Sequence, residues 1–192
     1  MVNVTVFGKG NMGSALAGLF ESAQSPVQVL DSATSADEKI TGEIVVLAVP
    51  YSALDGIAEK FGDQLKGRTV VDITNPVDFS TFDSLLPAAD GSSAAELAAK
   101  LPESKVLKAF NTNFAGSLAS KHVGENPTTV LIAGDDEDSK TTLAGIVEKA
   151  GLEAIDAGSL KRARELESFG FLQLSLAVSE KISFNGGFAV LR

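Results

Sequence analysis

The sequence predicts an α/β fold, a doubly wound and mostly parallel sheet with helices on both faces, and three observations carry that expectation. Short, nearly continuous apolar runs rich in Val and Ile alternate with amphipathic stretches along the chain, as strands buried on both faces and joined by crossover helices require. The first run leads directly into a glycine-rich turn, "FGKGNMG", where a strand can hand over to a helix. The 192 residues, 44% hydrophobic and 21% charged, suit one sizeable core. A single domain is expected over residues 1–192, closed by a long C-terminal helix and a tail.

The elements follow in order. A first strand is expected at residues 2–7 and a helix at 12–21, separated by the glycines. A second strand at 27–30 ends at Asp31, and only the 12 residues "SATSADEKITGE" stand before the next at 44–49. That is too few for the usual helix plus strand, so one outer strand of the first half is expected to be missing. A helix at 52–61 and a strand at 69–73 follow, then the longest loop-like segment, residues 80–93, "STFDSLLPAADGSS", which could cover a site as a lid. Ser92 or Ser93 could cap a helix at 94–100, with Glu96 at capping-box spacing from Ser93. The alternation continues with strands at 106–110, 129–133 and 153–155, helices at 115–121 and 139–150, and a last long helix near 160–180. No internal repeat or linker divides the chain.

Composition narrows the partners. The net charge is −9 without a Lys/Arg run, which leaves no electrostatic footprint for nucleic acid or an anionic membrane and favours a small molecule. With no cysteine there is no disulfide framework, thiolate nucleophile or Cys-ligated metal. The start lacks a signal-peptide pattern and no apolar run approaches the roughly 20 residues of a spanning helix, so a cytoplasmic location is expected.

The glycines carry the first chemistry. Gly8 allows a tight turn after the strand, Gly10 lets backbone approach a pyrophosphate, and Gly13 permits close helix packing. Lys9, Asn11 and Met12 lie between them, so residues 8–13 form the expected phosphate cradle of a Rossmann-type dinucleotide site, at a helix N-terminus that favours anions. Asp31 follows Gly13 by 18 residues, at the end of the second strand. A carboxylate there can hold the ribose hydroxyls of NAD and would repel the 2′-phosphate of NADP, so on chemistry alone it favours NAD; the hydroxyls of Ser32, Thr34 and Ser35 could hold a phosphate, with Lys39 the nearest cation. Asp31 and these hydroxyls would equally form a turn.

Further motifs occur in order: "EIVVLAVPYSAL", "VVDITNPVDF", "VLKAFNT", "VLIAGDDEDSK" and "DAGSLKRARELE". With the glycine turn they resemble the stand-alone dinucleotide-binding oxidoreductases related to NADP-dependent 8-hydroxy-5-deazaflavin oxidoreductases, and the ferric-reductase domain of mammalian metalloreductases is similar. The resemblance runs from Asn3 to about Glu167 and rests most on "DITNP" with "KAFNT". It implies a nicotinamide cofactor, usually NADP(H), and hydride exchange with a flavin-like or deazaflavin acceptor. Asp31 and Ser32 would then face the adenosine ribose, Ala48, Val49 and Pro50 the cofactor wall, and Pro50, Asn75, Pro76, Asn111 and Thr112 the nicotinamide end. Two departures are visible. Ala33 stands where the family commonly carries a basic residue for the 2′-phosphate, and the segment before Ile44 is short.

The remaining candidates read blandly. Tyr51, the single tyrosine, could contact the adenosine or cover the sheet end; Lys108 is expected to point along a face toward solvent. His122, the single histidine, is expected as a cap or surface residue, and Asp136 and Asp138 in "GDDEDSK" as caps and first-turn acids rather than metal ligands. "LKRARELE" reads as a solvated helix face. No catalytic acid–base residue is expected, because hydride transfer between two stacked rings needs positioning and exclusion of water. A hydroxy-acid, imine or prephenate-type dehydrogenase would need a base on a C-terminal helical domain, for which few residues follow "LKRARELE". The competing expectation is a non-catalytic NAD(P) sensor. The apolar last helix and the tail "ISFNGGFAVLR" are expected to form a homodimer in which the tail borders the acceptor pocket.

Overall fold

The computed structural model describes residues 1–191; the final tail residue, Arg192, lies outside the described residues. The chain order is β1 (Val4–Phe7), α1 (Asn11–Ser22), β2 (Val27–Leu30), β3 (Ile44–Leu47), a 3₁₀ turn (Tyr51–Ala53), α2 (Leu54–Leu65), β4 (Thr69–Asp72), α3 (Ser93–Lys100) and β5 (Lys105–Lys108). There follow α4 (Ala115–Ser120), a small hairpin of β6 (His122–Val123) and β7 (Asn126–Pro127), β8 (Thr129–Gly134), α5 (Glu137–Lys149), β9 (Glu153–Gly158), a second 3₁₀ turn (Leu160–Arg162) and α6 (Ala163–Val178).

The main sheet runs β2-β1-β3-β4-β5-β8-β9. β1 to β5 are mutually parallel, in register from Val4 beside Val27 and Ile44 to Asp72 beside Lys108. Among the described residues no strand lies outside β2, as the short connection before Ile44 predicts. Alternation along each strand feeds two cores. Val4, Val6, Ile44, Val46, Val71 and Leu107 face α1, α4 and α5, while Val45, Leu47, Val70 and Val106 face α2, α3 and the start of α6.

The expected strands all form, with no end shifted by more than three residues, and the hairpin is an addition. One change matters for the site. β8 pairs antiparallel to β5, and β9 parallel to β8. The six residues of α4 rise only about 9 Å, too little to return the chain to the opposite sheet edge, so β8 must run back down. With β9 beyond β8, this reversal brings Leu160 of the following turn and Ala163 at the start of α6 against Val106 of β5, and α6 then climbs past the carboxyl ends of β4 and β5.

Candidate functional site

Three glycines shape the turn after β1. Gly8 has φ +118°, and a Cβ there would come within 2.1 Å of the Ala48 carbonyl oxygen, so only glycine lets the β1 and β3 tips meet. A Cβ on Gly13 would come 2.1 Å from the Gly8 oxygen, so α1 sits hard against the turn. A Cβ on Gly10 would meet nothing within 4 Å. Gly10 is the N-cap of α1, without a side-chain cap and without an acidic residue in the first turn, which leaves the helix's first N–H groups facing open space.

A cleft of about 560 Å³ opens there, walled by the glycine turn, by Asp31 and Ser32, by Ala48, Val49 and Pro50, and by Ile57 and Lys60 of α2. The Lys9 ammonium lies 2.6 Å from Asp31 Oδ2. That hydrogen bond, with the amide of Ala33 next, holds the Asp31 carboxyl below the ordinary carboxylate range. Thr34 Oγ1 accepts from the Asp31 amide, closing the turn the sequence suggests. Lys39 belongs to neither this cleft nor the next. Lys60 does, and it donates to the Thr34 carbonyl. Nothing in the segment after β2 announces it, because Lys60 arrives from a helix distant in sequence that lines the same cleft.

A second cleft, of about 440 Å³, is lined by Asn11, Met12, Asn75, Phe110, Asn111 and Asn113, and by Phe114, Leu174, Phe184 and Asn185. Gly10 lines the first cleft and Asn11 and Met12 the second, so the N-terminus of α1 stands at their junction. Asn75 and Asn111 interlock: the Asn75 amide donates to the Asn111 carbonyl at 2.8 Å and the Asn111 amide to Asn75 Oδ1 at 2.9 Å. Asn111 also donates to the Leu166 carbonyl on α6. Two buried oxygens, Asn111 Oδ1 and Asn113 Oδ1, have no hydrogen-bond partner. Phe110, just before them, holds φ +62°, a costly conformation for an aromatic residue. Pro76 and Thr112 are buried behind the cleft, their carbonyls taken by Leu86 and Gln173.

A larger groove of about 650 Å³ lies at the opposite, amino edge of the sheet. It is open, and the Arg68 guanidinium in it is spent on the carbonyls of Gln64, Ile40 and Gly42.

Two expectations are corrected behind the second cleft. Lys108 points inward, not to solvent: its ammonium is fully buried, 2.9 Å from Asp72 Oδ2 and 2.8 Å from Glu167 Oε1, and it donates to the Thr74 carbonyl. β5 is an inner strand covered on both faces, so neither side of its alternation reaches water. Glu167 is likewise buried rather than solvated, since helical rotation turns Leu166 and Glu167 of "RELE" under α6 while Arg162, Arg164 and Glu165 stay outside. Glu167 accepts from the Ser93 and Ala94 amides at the start of α3. Burial pushes its carboxyl up, opposed by Lys108. Ser93 Oγ donates to Asp72 and meets Thr74 Oγ1, completing the cluster.

Of the smaller expectations, the caps of α3 and α5 and the exposed His122 form as read, while the capping box from Ser93 and the lid at 80–93 do not. Ser92 is the N-cap of α3, but Glu96 bonds Tyr51 rather than closing a capping box. Tyr51 lines neither cleft, and burial and Glu96 push its hydroxyl up. His122 is exposed on the hairpin, and Asp136 caps α5. The segment 80–93 gives no residue to either cleft; its Phe82 packs on Phe171 of α6.

Comparison with known proteins bears on this geometry. Residues 3–76 match the family model described as NADP oxidoreductase, coenzyme F420-dependent. The F420-dependent NADP reductase of Methanothermobacter marburgensis is 30% identical over 175 residues, 88% of this chain and 78% of that protein. A Rattus norvegicus metalloreductase is 34% identical over 79% of this chain, which spans 28% of the rat protein. A crystal structure from Arthrobacter sp. FB24, provisionally assigned as an F420-dependent NADP reductase, superposes with a TM-score of 0.87 over the full length of both chains at 23% identity, a likeness of fold.

Proposed function

Because the chain belongs to the family of coenzyme F420-dependent NADP oxidoreductases, we propose that it passes hydride between the nicotinamide of NADP(H) and a deazaflavin-class acceptor in the two clefts that meet at the N-terminus of α1. The observation that carries the reading is this junction: an open, uncapped helix start between a cleft edged by Asp31 and Ser32 and one edged by unpaired amide oxygens. An extended dinucleotide needs that order of features, with anion-binding N–H groups between a ribose end and an amide-recognising end.

In this reading residues 8–13 hold the pyrophosphate through backbone N–H groups, and Gly10 leaves room for it. Ala48, Val49 and Pro50 form the wall beside it, so Pro50, expected at the nicotinamide end as well, serves the first cleft alone. Asp31 and Ser32 face the adenosine ribose. Asn111 Oδ1 and Asn113 Oδ1 accept from the nicotinamide carboxamide, which would satisfy two otherwise costly buried oxygens. Asn75 lines the cleft and its amide holds the Asn111 carbonyl, while Pro76 and Thr112 lie buried behind, their own carbonyls held by Leu86 and Gln173. The bound cofactor supplies the two-electron chemistry. Met12, Phe110, Phe114, Leu174 and Phe184 keep water from the second cleft, and Phe184 and Asn185 bring the C-terminal tail to its border within the same chain.

We also retain a homodimer, formed by the exposed Phe169, Leu172 and Val178 of α6 with Phe188 of the tail. Light scattering at micromolar concentration should give twice the chain mass; a monomer would refute the contact. A cytoplasmic location stays part of the proposal; among the described residues no helix is long and apolar enough to cross a membrane. Isothermal titration tests the cofactor assignment. NADPH should bind at micromolar concentration, and absence of binding below millimolar would refute it.

A further inference from the structure

We propose that Lys60 of α2 is the residue that selects NADP over NAD, reaching across the first cleft to the 2′-phosphate; this rests on the reading of that cleft as the adenosine end. A 2′-phosphate needs a cation, and the segment that follows β2, "DSATSA", contains none. It contains instead a carboxylate, Asp31, which by itself would repel the phosphate. Two cations line the cleft, Lys9 and Lys60. They are not equivalent. Lys9 is paired with Asp31 at 2.6 Å, which cancels the repulsion but spends the ammonium. Lys60 forms no ion pair among the described residues. Its ammonium rests on the neutral carbonyl of Thr34 and over the ring of Phe61. The site therefore carries a positive charge without an ionic partner, held against the Asp31–Thr34 turn, and the exposed Ser32 lines the same cleft. NAD offers that charge nothing; a phosphomonoester on the ribose gives it a partner and a charge-assisted hydrogen bond.

The test is calorimetric and independent of turnover. Wild-type chain and the variants Lys60→Gln and Lys60→Arg are titrated with NADPH and NADH, and with 2′,5′-ADP and 5′-AMP, which isolate the adenosine end. Wild type should prefer 2′,5′-ADP to 5′-AMP. Lys60→Gln should weaken 2′,5′-ADP and NADPH by about tenfold, the order expected for one lost charge-assisted hydrogen bond, while leaving 5′-AMP and NADH unchanged. Lys60→Arg should keep the preference. Equal losses for all four ligands, or an unchanged preference in Lys60→Gln, would overturn the inference while leaving the cleft assignment standing. Failure of the wild type to bind any of the four would overturn both.

Discussion

At the scale of single residues, two glycines three positions apart do different work, and substitution separates them. A side chain at Gly10 enters open space and meets no protein atom, at an ordinary φ of −73°. Gly10→Val should leave the melting temperature nearly unchanged while weakening NADPH binding strongly, because the valine would fill the place proposed for the pyrophosphate. Gly13→Ala drives a methyl to within 2.1 Å of the Gly8 oxygen and should cost about 1–3 kcal/mol by thermal unfolding, as overpacking does. The glycine roles were legible because each follows from local backbone geometry. Lys108 was not. One charge in an apolar run reads as an outward position, and its partners Asp72 and Glu167 lie far away in sequence. Lys108→Met strands two buried carboxylates and should destabilise the fold by about 3–5 kcal/mol; adding Glu167→Gln should recover part of that.

At the scale of elements, α6 organises the site more than its apolar sequence suggests. Glu167, Gly170 and Gln173, three residues apart, lie on one buried face and meet in turn the start of α3, the Asn75–Asn111 pair and the Thr112 carbonyl. A Cβ on Gly170 would come 2.4 Å from Asn75 Oδ1 and 2.8 Å from the Asn111 carbonyl. Gly170→Ala should therefore lower both the melting temperature and the affinity for NADPH, unlike Gly10→Val, which lowers only the second. Strand cores were legible from unbroken apolar runs, but the path of α6 was not, since it depends on the antiparallel turn of β8 that no periodicity reports. Caps were legible. Asp136 accepts from the Ser139 amide, and the Ser139 hydroxyl and that amide, with Lys105 nearby, hold its carboxyl below the ordinary range. Its contribution is complete at neutral pH and is lost as the pH falls through its lowered pKa. The melting-temperature gap between wild type and Asp136→Ala should close in acid.

At the scale of the whole molecule, the sheet assigns one edge to function. The carboxyl ends of β1, β3, β4 and β5 deliver Gly8, Ala48, Thr74 and Ala109 to the same side, and the segments that follow them line both clefts. That convergence was readable from the order of strands and motifs. What the sequence could not supply was the packing by which α2 brings Lys60 to the first cleft; the tail, expected to border the acceptor pocket, gives Phe184 and Asn185 to the second. The central claim is that these clefts hold NADP and pass hydride to a deazaflavin. The most direct measurement is anaerobic absorbance of an oxidised deazaflavin mixed with NADPH and a catalytic amount of the chain. Wild type should reduce the deazaflavin with one NADPH consumed per molecule reduced, and Gly10→Val should not. A deazaflavin that stays oxidised while NADPH is shown to be bound would contradict the account.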